Sequence, residues 1–123
     1  MEEPPKQVSA STSDDINTEY ANNVFFEATV WDIKLIFGEW SSSANLVNWH
    51  TSITLPWAQA KLIQYYLAIN VEAHEKIQGK IPFPATMIPQ EPPPPDPNDT
   101  TGAAQDFYDM VMRHRKNFID SLR

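Results

Sequence analysis

From Val24 to Leu55 apolar and polar residues alternate with the period of a β-strand, and from Pro56 onward the period becomes helical. Val24, Phe26, Ala28 and Val30 fall on one side of a first run, with Phe25, Glu27 and Thr29 on the other. A second run follows at once, in which Ile33, Leu35 and Phe37 alternate with Lys34, Ile36 and Gly38. Asp32 is the best turn residue between them, although Trp31-Asp32 lacks the Gly or Asn of a tight hairpin. Ser41 to Asn45 reads as a loop. In the third run Val47, Trp49, Thr51, Ile53 and Leu55 alternate with Asn48, His50, Ser52 and Thr54, giving an apolar and a wet face. Connections this short favour an antiparallel meander, because parallel crossovers need about a dozen residues or more.

Pro56 suits the first turn of a helix, where its missing N–H costs nothing. Leu62, Tyr66, Ile69, Ala73 and Ile77 then recur at helical spacing, and Ala58 and Tyr65 widen the stripe. Glu72 and Lys76 form an i, i+4 pair in the favourable order. Gly79 fits a left-handed C-cap and Pro82 forbids continuation. The spacing predicts a helix over 56–78, about 34 Å long, that packs on the sheet through Leu62, Tyr66, Ile69 and Ile77.

Eight of the eleven prolines lie between residues 82 and 102, four of them as Pro92 to Pro95. Such a segment reads as a semi-rigid polyproline spacer rather than packed structure. Beyond it Phe107, Met110, Val111, His114, Phe118 and Leu122 make one stripe of a second helix over 103–122. Thr100 or Thr101 is its expected cap. Asp106 and Asp109 near its start, and Arg113, Arg115, Lys116 and Arg123 near its end, complement the helix dipole. The domain plan is a disordered acidic tail over 1–19, a sheet-plus-helix domain over 20–82, a proline-rich linker over 83–102 and a C-terminal helix over 103–123. The fold class is α+β: a three-stranded antiparallel sheet packed by one long helix, with a proline-tethered amphipathic helix.

Composition narrows the function. The 123 residues carry a formal net charge of −7 and no cysteine. Disulfides, thiolate metal sites and cysteine nucleophiles are therefore excluded. The acidic balance disfavours nucleic acid, whose non-specific affinity comes from basic residues on phosphates. Arg113 to Lys116 is the one basic cluster, and it reads better as dipole complementation. No apolar run reaches the ~18 residues of a membrane span, and the first residues lack the pattern of a signal peptide. The expectation is a cytoplasmic protein with neither membrane nor nucleic-acid partner.

Candidate chemistry is thin. His50 sits among Asn48, Ser52 and Thr54 on a wet strand face, and His74 has no second His at i+4. His114 falls on a helix stripe. Asp14-Asp15 and Asp106/Asp109 read as solvated or capping charges. Ser41 to Ser43 and Ser52 lack a nucleophile elbow. The three glycines, Gly38, Gly79 and Gly102, are too scattered for a phosphate loop. No catalytic, cofactor-binding or metal-ligating residue is nominated. A small-molecule pocket near Trp49, His50 and Tyr65 remains an alternative.

The architecture is incomplete by itself. About sixty residues bury only ~60% of their unfolded surface. An open sheet has two edges that invite pairing, and the last helix has an apolar stripe to cover. These features predict a homodimer or higher oligomer, with Phe107, Met110, Val111, His114, Phe118 and Leu122 meeting another copy or another protein. A chaperone-like binder of unfolded segments is the second reading.

From Tyr20 to Pro82 the chain resembles a family of small, uncharacterised bacterial and archaeal proteins grouped as a domain of unknown function. The resemblance is carried by Tyr20-Ala21-Asn22-Asn23, by Asp32, Leu35, Phe37 and Gly38, and by Ile53 and Leu55-Pro56. It continues through Ala60-Lys61-Leu62, Asn70, Glu75, Gly79, Ile81 and Pro82. His74 stands where the pattern has a Tyr, and the proline segment and last helix are additions. The resemblance implies a compact sheet-plus-helix oligomer and supplies no activity. The plan is also similar in outline to bacterial export chaperones, acidic proteins with an antiparallel sheet followed by helices, which dimerise and tetramerise.

Overall fold

The computed structural model describes residues 16–123. The tail expected over 1–19 lies outside the described residues as far as residue 15; Ile16–Glu19 are exposed and form no regular element. The chain is α+β. In order it forms β1 (Asn23–Ala28), β2 (Asp32–Ser41), β3 (Leu46–Pro56), α1 (Trp57–Gln78) and α2 (Ala103–Ser121), with a short 3-10 turn at Ala85–Met87. The strands make one antiparallel sheet in the order β1-β2-β3. Two compact units divide after Tyr66.

In the first unit, Phe26, Leu35 and Ile53 lie side by side across the sheet, flanked by Val24, Phe37 and Thr51 and by Ala28, Ile33 and Leu55. One face is therefore almost wholly apolar. The alternation expected in β3 breaks at His50. Phe37 pairs with Thr51 but Gly38 pairs with Trp49, so His50 is an extra, unpaired residue. A bulge turns every residue beyond it to the other face. Trp49 and Val47 consequently leave the side of Ile53 and Leu55 and join Phe25, Ile36 and Trp40. Trp49 meets Phe25 edge-on, with ring centroids 4.8 Å apart. Gly38 permits this: a Cβ there would lie 2.6 Å from Trp49 Cε3 and 2.8 Å from the Asn48 carbonyl oxygen.

The β1–β2 turn works without Gly or Asn. Neither Val30 nor Trp31 has positive φ, so the primed turns that normally close such a hairpin are absent. A side-chain clasp takes their place. Thr29 Oγ1 accepts the amides of Trp31 and Asp32 and donates to Asp32 Oδ1 at 2.9 Å. The indole of Trp57 donates to the Thr29 carbonyl at 3.0 Å, tying the start of α1 to this turn. Asn45 takes the left-handed conformation, φ 51°, in the β2–β3 turn, a position Asn tolerates.

The second unit runs from Leu67 to Arg123. Gly79, with φ 89°, ends α1 and its amide bonds the Glu75 carbonyl at 2.9 Å. The Glu75 carboxylate then accepts the Ile81 amide at 2.9 Å. One glutamate thus holds the chain on both sides of Gly79. The proline-rich segment is more than a spacer, because it folds against α2. Phe83 packs edge-on to Phe118, Arg115 donates to the Pro89 carbonyl at 2.9 Å, and Lys80 donates to that of Ser121. Prolines lack an N–H but keep a C=O, so this segment accepts from α2 without needing a strand partner. The cap expected from Thr100 or Thr101 comes mainly from Asp99, whose carboxylate accepts the Ala104 amide at 2.8 Å. The hydroxyl of Thr101 accepts the Ala103 amide.

Candidate interaction surfaces

Among the described residues no hydrophobic side chain is buried. On the apolar sheet face Val24, Phe26 and Ile53 stay exposed, Phe26 at 58%. The stripe of α1 is exposed too, from Leu62 at 43% to Ile77 at 79%. In the first turns of α1 the half-buried side chains are Ala60 and Ile63, roughly a third of a turn away from Leu62, Tyr66 and Ile69. Pro56 ends β3 and Trp57 begins α1 with no residue between. Apolar side chains on more than one side of α1 leave it needing cover.

The six residues nominated on α2 divide between two faces. Val111 and Leu122 are half-buried, with Ala104, Tyr108, Met112, Arg115 and Ile119. This face carries the Arg115 bond to Pro89 and a 3.9 Å ion pair with Glu91. Phe107, Met110 and His114 are exposed, Phe107 at 63%, and Phe118 is shared with Phe83. The i, i+4 spacing of Tyr108, Met112 and the Arg115–Ile119 step was visible, but a Tyr and an Arg do not announce an apolar face. No basic residue lies in the last turn of α2. The expected complementation of its C-terminal dipole gives way to local pairing: Arg115 with Pro89 and Glu91, and Lys116 with Asp120 at 2.8 Å.

Electrostatics here hold structure. The Thr101 hydroxyl, with the amides of Ala104 and Thr101, keeps the Asp99 carboxyl below the ordinary carboxylate range. Lys116 does the same for Asp120. Both ring nitrogens of His50 are engaged, Nδ1 with Thr51 Oγ1 at 2.7 Å and Nε2 with the Tyr20 carbonyl at 2.9 Å. Trp49 and Tyr65, which with His50 were to line a small-molecule pocket, are exposed at 43% and 60%. A cleft of about 360 Å³ lies at the start of α2, lined by Pro95, Asp96, Pro97, Asp99, Gly102, Ala104 and Gln105. Among the described residues no group of three His, Asp or Glu side chains is placed to hold a metal ion. No described helix is long and apolar enough to cross a membrane.

The chain matches no family model, no curated protein and no solved structure.

Proposed function

We propose that the chain is a non-enzymatic, cytoplasmic interaction module that works as a homo-oligomer. The observation that carries this reading is the absence of a buried hydrophobic side chain among the described residues. A folded domain draws its stability mainly from apolar burial, at about 25 cal/mol per Å². A sheet whose apolar face keeps Val24, Phe26 and Ile53 exposed gains that contribution when a second copy covers it. The sheet and α1 form the assembly, and the exposed line of Phe107, Met110, His114 and Phe118 on α2 is the surface offered to a further polypeptide.

Mass action tests it. If folding and assembly are coupled, thermal stability rises with protein concentration. A tenfold dilution series followed by circular dichroism is expected to lower Tm stepwise. A Tm independent of concentration in a chain sedimenting as a monomer overturns the reading. The two unpaired sheet edges, on β1 and β3, favour a second reading, a chaperone-like binder that pairs with extended client segments. That reading requires stoichiometric suppression of aggregation of an unfolded client; excess protein with no effect removes it.

A further inference from the structure

We infer that Pro92 to Pro95 present a polyproline face to a partner protein whose groove is lined by aromatic rings and rimmed by basic side chains. Sequence and backbone together define the conformation. Proline holds φ at about −65°, and a residue that precedes a proline is driven to extended backbone. Ile88, Glu91, Pro92, Pro93, Pro94 and Asp96 each precede a proline. Ile88 has φ −63° and ψ 127°, and no peptide bond among the described residues is cis. Such a run is a left-handed polyproline II helix, with three residues per turn. Burial follows that period. Pro92 and Pro95 are half-buried, whereas Pro93, Pro94 and Asp96 are exposed. Pro95 shares the cleft at the start of α2 with Ala104 and Gln105. The outer faces of the polyproline helix therefore carry Pro93 with Asp96, and Glu91 with Pro94.

A spacer needs no fixed conformation, but this segment is tied down at both ends. Before the prolines, Arg115 donates to the Pro89 carbonyl at 2.9 Å and pairs with Glu91 at 3.9 Å. After them, the Asp96 carbonyl accepts the Asp99 amide at 3.1 Å and the Asp96 carboxylate accepts the Asn98 amide at 2.9 Å. Asp99 in turn caps α2. All of these contacts lie within the second unit. A polyproline II helix makes no internal hydrogen bonds, so the ties supply its order, and a ligand ordered beforehand loses less entropy on binding. The outer faces select the partner. Proline rings at this spacing dock in grooves lined by aromatic side chains. Residues 88–99 hold Glu91, Asp96 and Asp99 and no Lys or Arg. Among the described residues no cation pairs with Asp96, which shares a face with Pro93. An acidic rim is repelled by this charge and a basic rim is attracted.

The full-length chain is titrated into isotope-labelled WW and SH3 domains, sorted into a basic-rimmed and an acidic-rimmed set, and the groove resonances are followed by NMR. Basic-rimmed domains are expected to bind with Kd below about 1 mM, with shifts confined to their aromatic grooves. The double variant Pro93→Ala/Pro94→Ala should weaken binding at least about tenfold. Asp96→Asn keeps an acceptor for the Asn98 amide but removes the charge, so it should weaken binding severalfold and make it less sensitive to salt. Circular dichroism checks that α2 is intact in each variant; if the double variant loses the helix, Asp96→Asn carries the test. Binding that is unchanged in the double variant with α2 intact overturns the proposal. So does binding as tight to the acidic-rimmed set, or as tight in Asp96→Asn. No binding by any domain up to about 1 mM overturns it as well.

Discussion

His50 Nε2 lies 2.9 Å from the carbonyl oxygen of Tyr20, thirty residues earlier in the chain. A carbonyl only accepts, so Nε2 donates, while Nδ1 lies 2.7 Å from the Thr51 hydroxyl. His50 stands on β3 and Tyr20 precedes β1, with β2 between those strands. The bond therefore pins the incoming chain across the sheet. Asn22 completes the clasp: its side-chain oxygen accepts the Trp40 amide at 2.7 Å and its own amide bonds Gly38. His50→Ala is expected to cost about 0.5–1.5 kcal/mol, the worth of an ordinary hydrogen bond. Urea unfolding measures the loss, and amide exchange should show it first at Trp40. Unchanged exchange there would mean that Tyr20 to Asn22 are held by something else.

Substitutions at two glycines separate by mechanism. Gly38→Ala places a methyl against the Asn48 carbonyl and the Trp49 ring, an overpacking cost of about 1–3 kcal/mol. Gly79→Ala meets open space but keeps a left-handed backbone, a strain of about 1–2 kcal/mol. A second substitution, Trp49→Ala, should rescue part of the first loss and none of the second. Equal rescue would remove the steric account.

Asp99 makes the start of α2 sensitive to acid. Its carboxyl is held below the ordinary value of 3.8 by Thr101 and Ala104. A depressed folded-state pKa gives stability that is present above the unfolded value and is lost as pH falls through the folded one. Helix signal from residues 100–106 should therefore decline below about pH 4. Asp99→Asn should lower that signal at neutral pH and flatten the acid dependence. An acid transition that is the same in Asp99→Asn would assign it to other carboxylates.

The two faces of α2 should respond differently. Ile119→Ala removes a half-buried group and is expected to cost about 1–2 kcal/mol, below the range for full burial. Phe107→Ala, on the exposed side, should leave stability within about 0.5 kcal/mol. Thermal melts of the two variants check this ordering, and a reversal would exchange the roles of the faces.

Phe26 tests the sheet face. It is more than half exposed in the single chain, so Phe26→Ser should be mild if that face meets only water. If a second copy covers it, the loss of about 1.5–3 kcal/mol of apolar burial at each of the two sites of a symmetric dimer weakens association by roughly a hundredfold or more. Sedimentation over a concentration series reads the difference.

Much of the fold was legible because alternation and helical spacing are local. Val24 to Ala28, Ile33 to Phe37 and Leu62 to Ile77 each declare their element by periodicity. The bulge at His50 was not legible, since Val47 to Leu55 alternate without a break; it depends on Gly38, a residue of another strand. The cap by Asp99 was missed because the nearer threonines were sufficient candidates, and the folding of the proline segment on α2 depends on Phe83, Pro89 and Arg115 meeting across sequence. The six-residue stripe of α2 was half legible: apolar spacing selected it, but Tyr108 and Arg115 form the covered face, leaving Phe107, Met110 and His114 outside.

The central claim is that one chain does not complete its own core. Light scattering on a sizing column measures it directly on the full chain at micromolar concentration. A mass twice the 14.0 kDa of the chain, falling toward that value in Phe26→Ser, is the predicted result. A cooperatively unfolding species of 14.0 kDa at every concentration would contradict it.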